Sequence, residues 1–139
     1  LCHPMARTLE LLGCQRAMVV HGSGLDELAI HGPSTVAYLE DGEVRQLEVT
    51  PEDAGLERHP LDALSGGGPD ENSAWLRGLL AGDGREAHNH AVALNAGAVA
   101  LVSGRADSLR EGATLALDKL HSGSLSKRFE RFVEVSRGA

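Results

Sequence analysis

The chain has 139 residues, 42% of them apolar, and a formal net charge of −7. A chain of this length buries roughly 68% of the surface it exposes when unfolded, which allows one self-supporting core and rules out a two-domain enzyme. No uninterrupted apolar run approaches the ~18 residues of a membrane span and no basic segment leads into an apolar one, so a cytoplasmic, soluble chain is expected with no membrane partner. The acidic balance, with Tyr38, Trp75, Phe129 and Phe132 as the only aromatics, argues against phosphate-backbone attraction and base stacking, hence against nucleic acid as a partner. The chain opens on Leu1 rather than Met, as a piece of something longer would.

Pro4 fits the first turn of a helix whose Met5, Leu9 and Leu12 recur at three- and four-residue steps before Gly13 offers a stop. Arg16-Ala17-Met18-Val19-Val20 is a short apolar run of the kind buried on both faces in a mostly parallel sheet. Residues 35–40 and 43–49 flank Asp41-Gly42, the dipeptide of a type I′ hairpin turn. Thr50-Pro51-Glu52-Asp53 places a cap, a proline and two acids at the start of a short helix that Gly55 ends. Residues 56–69 carry little periodicity. Beyond them the pattern is helical: a helix capped by Asp70 and ended by Gly82, a helix over 87–103 apolar on every side and so read as buried, a helix entered by the Ser108/Glu111 capping box, and a last helix from Ser124 with Leu125, Phe129, Phe132 and Val133 on one stripe. The fold class is α/β: part of a mostly parallel sheet plus a β-hairpin, packed by several C-terminal helices, with no boundary inside residues 1–139.

The chemistry-bearing segment is His21-Gly22-Ser23-Gly24-Leu25-Asp26-Glu27, leaving the carboxyl end of the first strand, where open α/β sheets bind ligands. Asp26 and Glu27 are adjacent carboxylates. They reach one site only from a turn or a helix start, since neighbours on an extended strand point to opposite faces. Two hard oxygen donors suit Mg2+, which completes its shell with water and phosphate oxygens; two solvated acids at a helix N-terminus are the plainer alternative. His21 and Ser23 lack the surroundings of a nucleophile elbow, and Gly66-Gly67-Gly68 is not followed by the Lys-Ser/Thr of a phosphate loop. Asn95 and Asn72 either hydrogen-bond neighbouring loops or touch substrate. His88 and His90 lack metal-ligand spacing, and Cys2 and Cys14 signal neither zinc nor a redox pair.

Taken in order, His3-Pro4-Met5-Ala6, residues 16–27, Asp41-Gly42-Glu43, residues 50–56, Glu71-Asn72 and Leu94-Asn95-Ala96 resemble the C-terminal half of the anthranilate phosphoribosyltransferase family. The Val-His-Gly-x-Gly-Leu-Asp-Glu block is specific. The resemblance implies the C-terminal part of a nucleoside phosphorylase/phosphoribosyltransferase-type α/β domain, and transfer of the phosphoribosyl group of phosphoribosyl pyrophosphate to anthranilate in tryptophan biosynthesis. It implies that Asp26 and Glu27 hold Mg2+ for the pyrophosphate, and it assigns no catalytic acid, base or organic cofactor to this chain. The family's glycine-rich substrate loop, its acceptor pocket and its homodimer contact belong to an N-terminal half with no counterpart here, so the isolated chain is expected to be inactive alone. A stand-alone binding domain, or a paralogue using another acceptor, are the alternatives.

Overall fold

The structure is a computed structural model and describes residues 1–138. A helix α1 (Cys2–Leu11) leads into three strands, β1 (Arg16–Gly22), β2 (Ser34–Glu40) and β3 (Glu43–Val49), followed by two 3-10 turns and the helices α2 (Pro69–Ala81), α3 (Glu86–Val102), α4 (Leu109–His121) and α5 (Ser126–Gly138).

The sheet corrects the expected topology. Its order is β1-β2-β3 and both pairings are antiparallel, so among the described residues no parallel pair exists. A parallel return requires a crossover of about a dozen residues or more, usually a helix. Residues 23–33, between β1 and β2, contain no helix; the chain doubles back instead. β1 is therefore an edge strand, and its Ala17–Val20 are only half-buried. The hairpin stands where Asp41-Gly42 places it: both residues have positive φ, 50° and 76°, as a type I′ turn requires.

The strand alternation sorts side chains to two layers. On one face Val19 and Ala37 meet Cys2 and Ala6 of α1; on the other, Met18, Val20, Val36 and Tyr38 join Leu28 and Ile30 and the inward side of α3 and α4, including Ala93, Leu94, Ala98 and Ala113. The result is helix, sheet, helix pair. α3 and α4 cross with their backbones nearly touching: a Cβ on Gly97 would lie 2.6 Å from Ala113 N, and one on Gly112 would lie 2.5 Å from Gly97 O. Only glycine fits either position.

Two helix readings are also refined. Pro69, not a residue after Asp70, opens α2, and the Glu71 carboxylate accepts from Gly68 N at 2.9 Å. α3 is not buried all round: Val92 is 42% and Val99 68% exposed. That flank of α3, with the outer edge of β1, is an open apolar wall. The α4 start is as predicted, with Ser108 Oγ accepting from Glu111 N at 3.1 Å, while the Glu111 carboxylate reaches Asp107 N at 2.8 Å.

Candidate functional site

At the end of β1 the chain makes a tight reversal. Gly22 N donates to Leu25 O (3.0 Å) and Leu25 N to Gly22 O (2.8 Å), with Ser23 and Gly24 between them at φ 44° and 94°. Two consecutive positive φ angles define the type I′ geometry again, here with serine at the first central position. Gly22 is required by contact rather than by φ: a Cβ there would collide with Glu27 O and lie 2.5 Å from Ala29 N. Asp26 and Glu27 leave the far limb of this turn and are exposed.

The limb is anchored on both sides. Asn95, on α3, accepts from Leu28 N (2.9 Å) and donates to Leu28 O (3.0 Å) and to Ala91 O (3.0 Å). Its amide thus binds the loop 67 positions away as a third strand would, satisfying both backbone groups of a residue only 2% exposed. Ser34 Oγ accepts from Ala29 N at 2.9 Å. Asp26 and Glu27 are therefore held on a turn fixed by β1, β2 and α3, and no helix begins at them.

Glu27's carboxyl is held above the ordinary glutamate range, first by hydrogen bonding with the Asp26 carboxyl, then by partial desolvation and by Asp26's negative charge. Like charges this close favour retention of a proton, and a cation between them removes the conflict. The pair sits on a ridge between two hollows. Glu27 borders one of about 470 Å³ with Leu25, Leu64, Val92 and Val99; Asp26 borders another of about 890 Å³ with His3, Pro4, Val20 and His21. Among the described residues no group of three or more His, Cys, Asp or Glu side chains could enclose a metal. A two-carboxylate ridge instead fits an ion that draws its remaining ligands from water and phosphate, which is the habit of Mg2+.

Other sequence candidates resolve into structural roles. Ser23 Oγ donates to Pro33 O at 2.7 Å, so its hydroxyl is not aligned on His21. Asn72 accepts from Gly67 N (2.9 Å) and donates to Gly67 O (3.0 Å). With Gly68 N given to Glu71, the glycine run is stitched to the start of α2, and two of its three N–H groups are taken. Two arrangements had no sequence signal: His59 Nε2 lies 2.9 Å from His90 Nδ1, tying residues 57–64 to α3, and Arg85 stacks 4.0 Å over the Trp75 ring. The bracing of the acidic turn by residues 31–34 was equally invisible, because it depends on the backbone path.

Two adjacent carboxyls thus stand on a turn at a strand end, with the helix pair α3 and α4 packed behind it. Residues 1–125 match the glycosyl transferase family, a/b domain, and the chain belongs to that family. It is 56% identical over 132 residues to the anthranilate phosphoribosyltransferase of Sorangium cellulosum (strain So ce56), covering 95% of this chain and 38% of that protein, whose C-terminal part it matches. The crystal structure of anthranilate phosphoribosyltransferase from Thermus thermophilus superposes with a TM-score of 0.88 at 44% identity, over 98% of this chain and 40% of that one. A variant of the Saccharomyces cerevisiae anthranilate phosphoribosyltransferase with Mg bound gives 0.83 at 25% identity, over 99% and 40%. The chain thus spans about two-fifths of the length of the relatives it matches.

Proposed function

We propose that residues 1–139 are the C-terminal part of the catalytic α/β domain of an anthranilate phosphoribosyltransferase, and that they supply the metal-binding wall of its active site. The reaction is transfer of the phosphoribosyl group of phosphoribosyl pyrophosphate to the amine of anthranilate, releasing pyrophosphate, a step of tryptophan biosynthesis in the cytoplasm. The observation that carries this reading is the placement of the adjacent Asp26 and Glu27 on one turn fixed by β1, β2 and α3, and it is supported by the Mg-bound yeast relative.

Mg2+, when bound, would neutralise charge building on the leaving pyrophosphate as the ribose C1–oxygen bond lengthens. Asp26 and Glu27 would hold the ion and so orient the leaving group; neither acts as acid or base. The anchoring of Leu28 by Asn95 keeps the carboxylates from swinging, and preorganisation of this kind lowers a barrier without reorganisation at the moment of reaction. The amine of anthranilate is already nucleophilic, so positioning carries the step. The pocket for the acceptor, the remainder of the phosphoribosyl pyrophosphate site and the family's homodimer contact lie outside this chain.

The test is complementation. The chain is refolded with an N-terminal portion taken from a relative, and phosphoribosylanthranilate is assayed. Activity is expected from the mixture and not from the chain alone. Asp26→Asn with Glu27→Gln should abolish it while the far-UV spectrum and unfolding midpoint are kept. Mg2+-dependent turnover surviving that double change would remove Asp26 and Glu27 from the metal.

A further inference from the structure

Ser23 is one of two non-glycine residues with positive φ among the described residues. The left-handed region is disfavoured for any residue with a Cβ, so something must hold it there. One short segment does. His31 Nε2 lies 3.2 Å from Ser23 O and, with that nitrogen carrying the proton, donates to it. Ser23 Oγ donates to Pro33 O. Gly32, between these two, runs so close beneath that a Cβ on it would lie 2.8 Å from Ser23 Oγ. His31 Nδ1 is buried without a hydrogen-bond partner, so the ring's hydrogen bonding is directed to Ser23 alone.

The consequence reaches the acidic pair through the backbone. If Ser23 relaxes to negative φ, the type I′ turn opens, the paired hydrogen bonds between Gly22 and Leu25 are lost, and Asp26 and Glu27 no longer leave the turn in a fixed direction. The geometry points to His31 as a positioning residue of the Asp26–Glu27 site: its imidazole N–H holds Ser23 in the left-handed conformation that aims the two carboxylates. This inference rests on the metal-binding reading above and extends it to a residue outside the acidic motif.

The experiment is a Mn2+ titration of the 139-residue chain, read by paramagnetic broadening of the Leu25–Leu28 amide signals, together with hydrogen exchange of the Leu25 amide. His31→Ala should raise the Mn2+ midpoint about fivefold, the effect of losing one hydrogen bond, and speed Leu25 exchange by a similar factor. His31→Gln, whose side-chain amide lies as many bonds from Cβ as imidazole Nε2, should restore both; His31→Asn, whose amide takes the place of Nδ1, should not. In a Ser23→Gly background, where positive φ needs no support, His31→Ala should leave Leu25 exchange almost unchanged. A lowered unfolding midpoint with Mn2+ midpoint and Leu25 exchange unmoved would make His31 a packing residue and overturn the inference, as would equal losses in His31→Ala and His31→Gln. The Asp26→Asn/Glu27→Gln chain separates the two claims. Broadening that persists in it overturns the metal reading, whereas Leu25 exchange in the His31 variants decides the brace. Absence of broadening in the unaltered chain overturns the metal reading, and Leu25 exchange in the His31 variants still decides the brace.

Discussion

Asn95→Ala tests how the acidic turn is attached to the helical layer. The substitution removes the acceptor for Leu28 N and the donor to Leu28 O, stranding two backbone groups of a residue that is 2% exposed. Each buried, unsatisfied group costs about 1–3 kcal/mol. Asn95 borders the hollow beside Glu27, through which water can reach the vacated space, so the lower half of the combined range applies, about 2–4 kcal/mol. Against a domain stability of roughly 5–15 kcal/mol this is a large fraction. Urea unfolding followed by far-UV circular dichroism would show a lower midpoint at unchanged slope. Asn95→Asp keeps the acceptor, lacks the donor and sets a carboxylate against the Leu28 and Ala91 carbonyls, so it should lose at least as much at neutral pH. Val99→Ala, on the exposed flank of the same helix, should change stability by less than ~0.5 kcal/mol. A loss below ~0.5 kcal/mol for Asn95→Ala would refute the view that this amide stands in for a strand neighbour.

Gly97→Ala forces a methyl against the α4 backbone and should cost about 1–3 kcal/mol by overpacking, read as a lower thermal midpoint; an unchanged midpoint would mean that α3 and α4 separate freely. Gly22→Ala places its methyl against Glu27 O and Ala29 N, so the amide shifts of Leu25–Ala29 should move while those of α5 do not. Glu27 should titrate above an ordinary glutamate in carboxyl-carbon NMR, because hydrogen bonding with Asp26, desolvation and Asp26's charge all raise its pKa. The folded state then binds this proton more tightly than the unfolded one. The stabilising contribution is complete below the unfolded value and is lost as pH rises through the raised folded value. Asp26→Asn should return Glu27 toward its ordinary range and flatten that slope; a Glu27 titrating at or below the ordinary range would refute the convergence of the pair.

The parts of this fold legible in the sequence are those set by local chemistry. Asp41-Gly42 demands two positive φ angles, and the hairpin follows whatever surrounds it. Ser108 with Glu111 states a helix start in the same self-contained way. What is not legible depends on neighbours. A short apolar run such as Ala17–Val20 reads alike in a parallel interior strand and an antiparallel edge strand, and only the absence of a helical pattern in residues 23–33 argued for a direct return. α3 is apolar on all sides, and composition cannot say which side is covered. For Asn95, the cost of an unpaired amide among apolar residues argued for a loop contact, but nothing in the sequence named Leu28 as the partner. The acidic pair was visible as two letters; its convergence depends on Ser23 adopting a conformation that serine does not announce, braced by His31 and Pro33.

The turn bearing Asp26 and Glu27 is fastened to three separate bodies: Gly22 continues β1, Ser34 Oγ opens β2, and Asn95 projects from α3. Because α3 and α4 pack backbone to backbone at Gly97 and Gly112, they form one slab. The path of this turn thus depends on the helix slab and the sheet together. Remote core substitutions that slide the slab by a fraction of an ångström should register in the Leu25–Leu28 amide shifts before they register in folding stability.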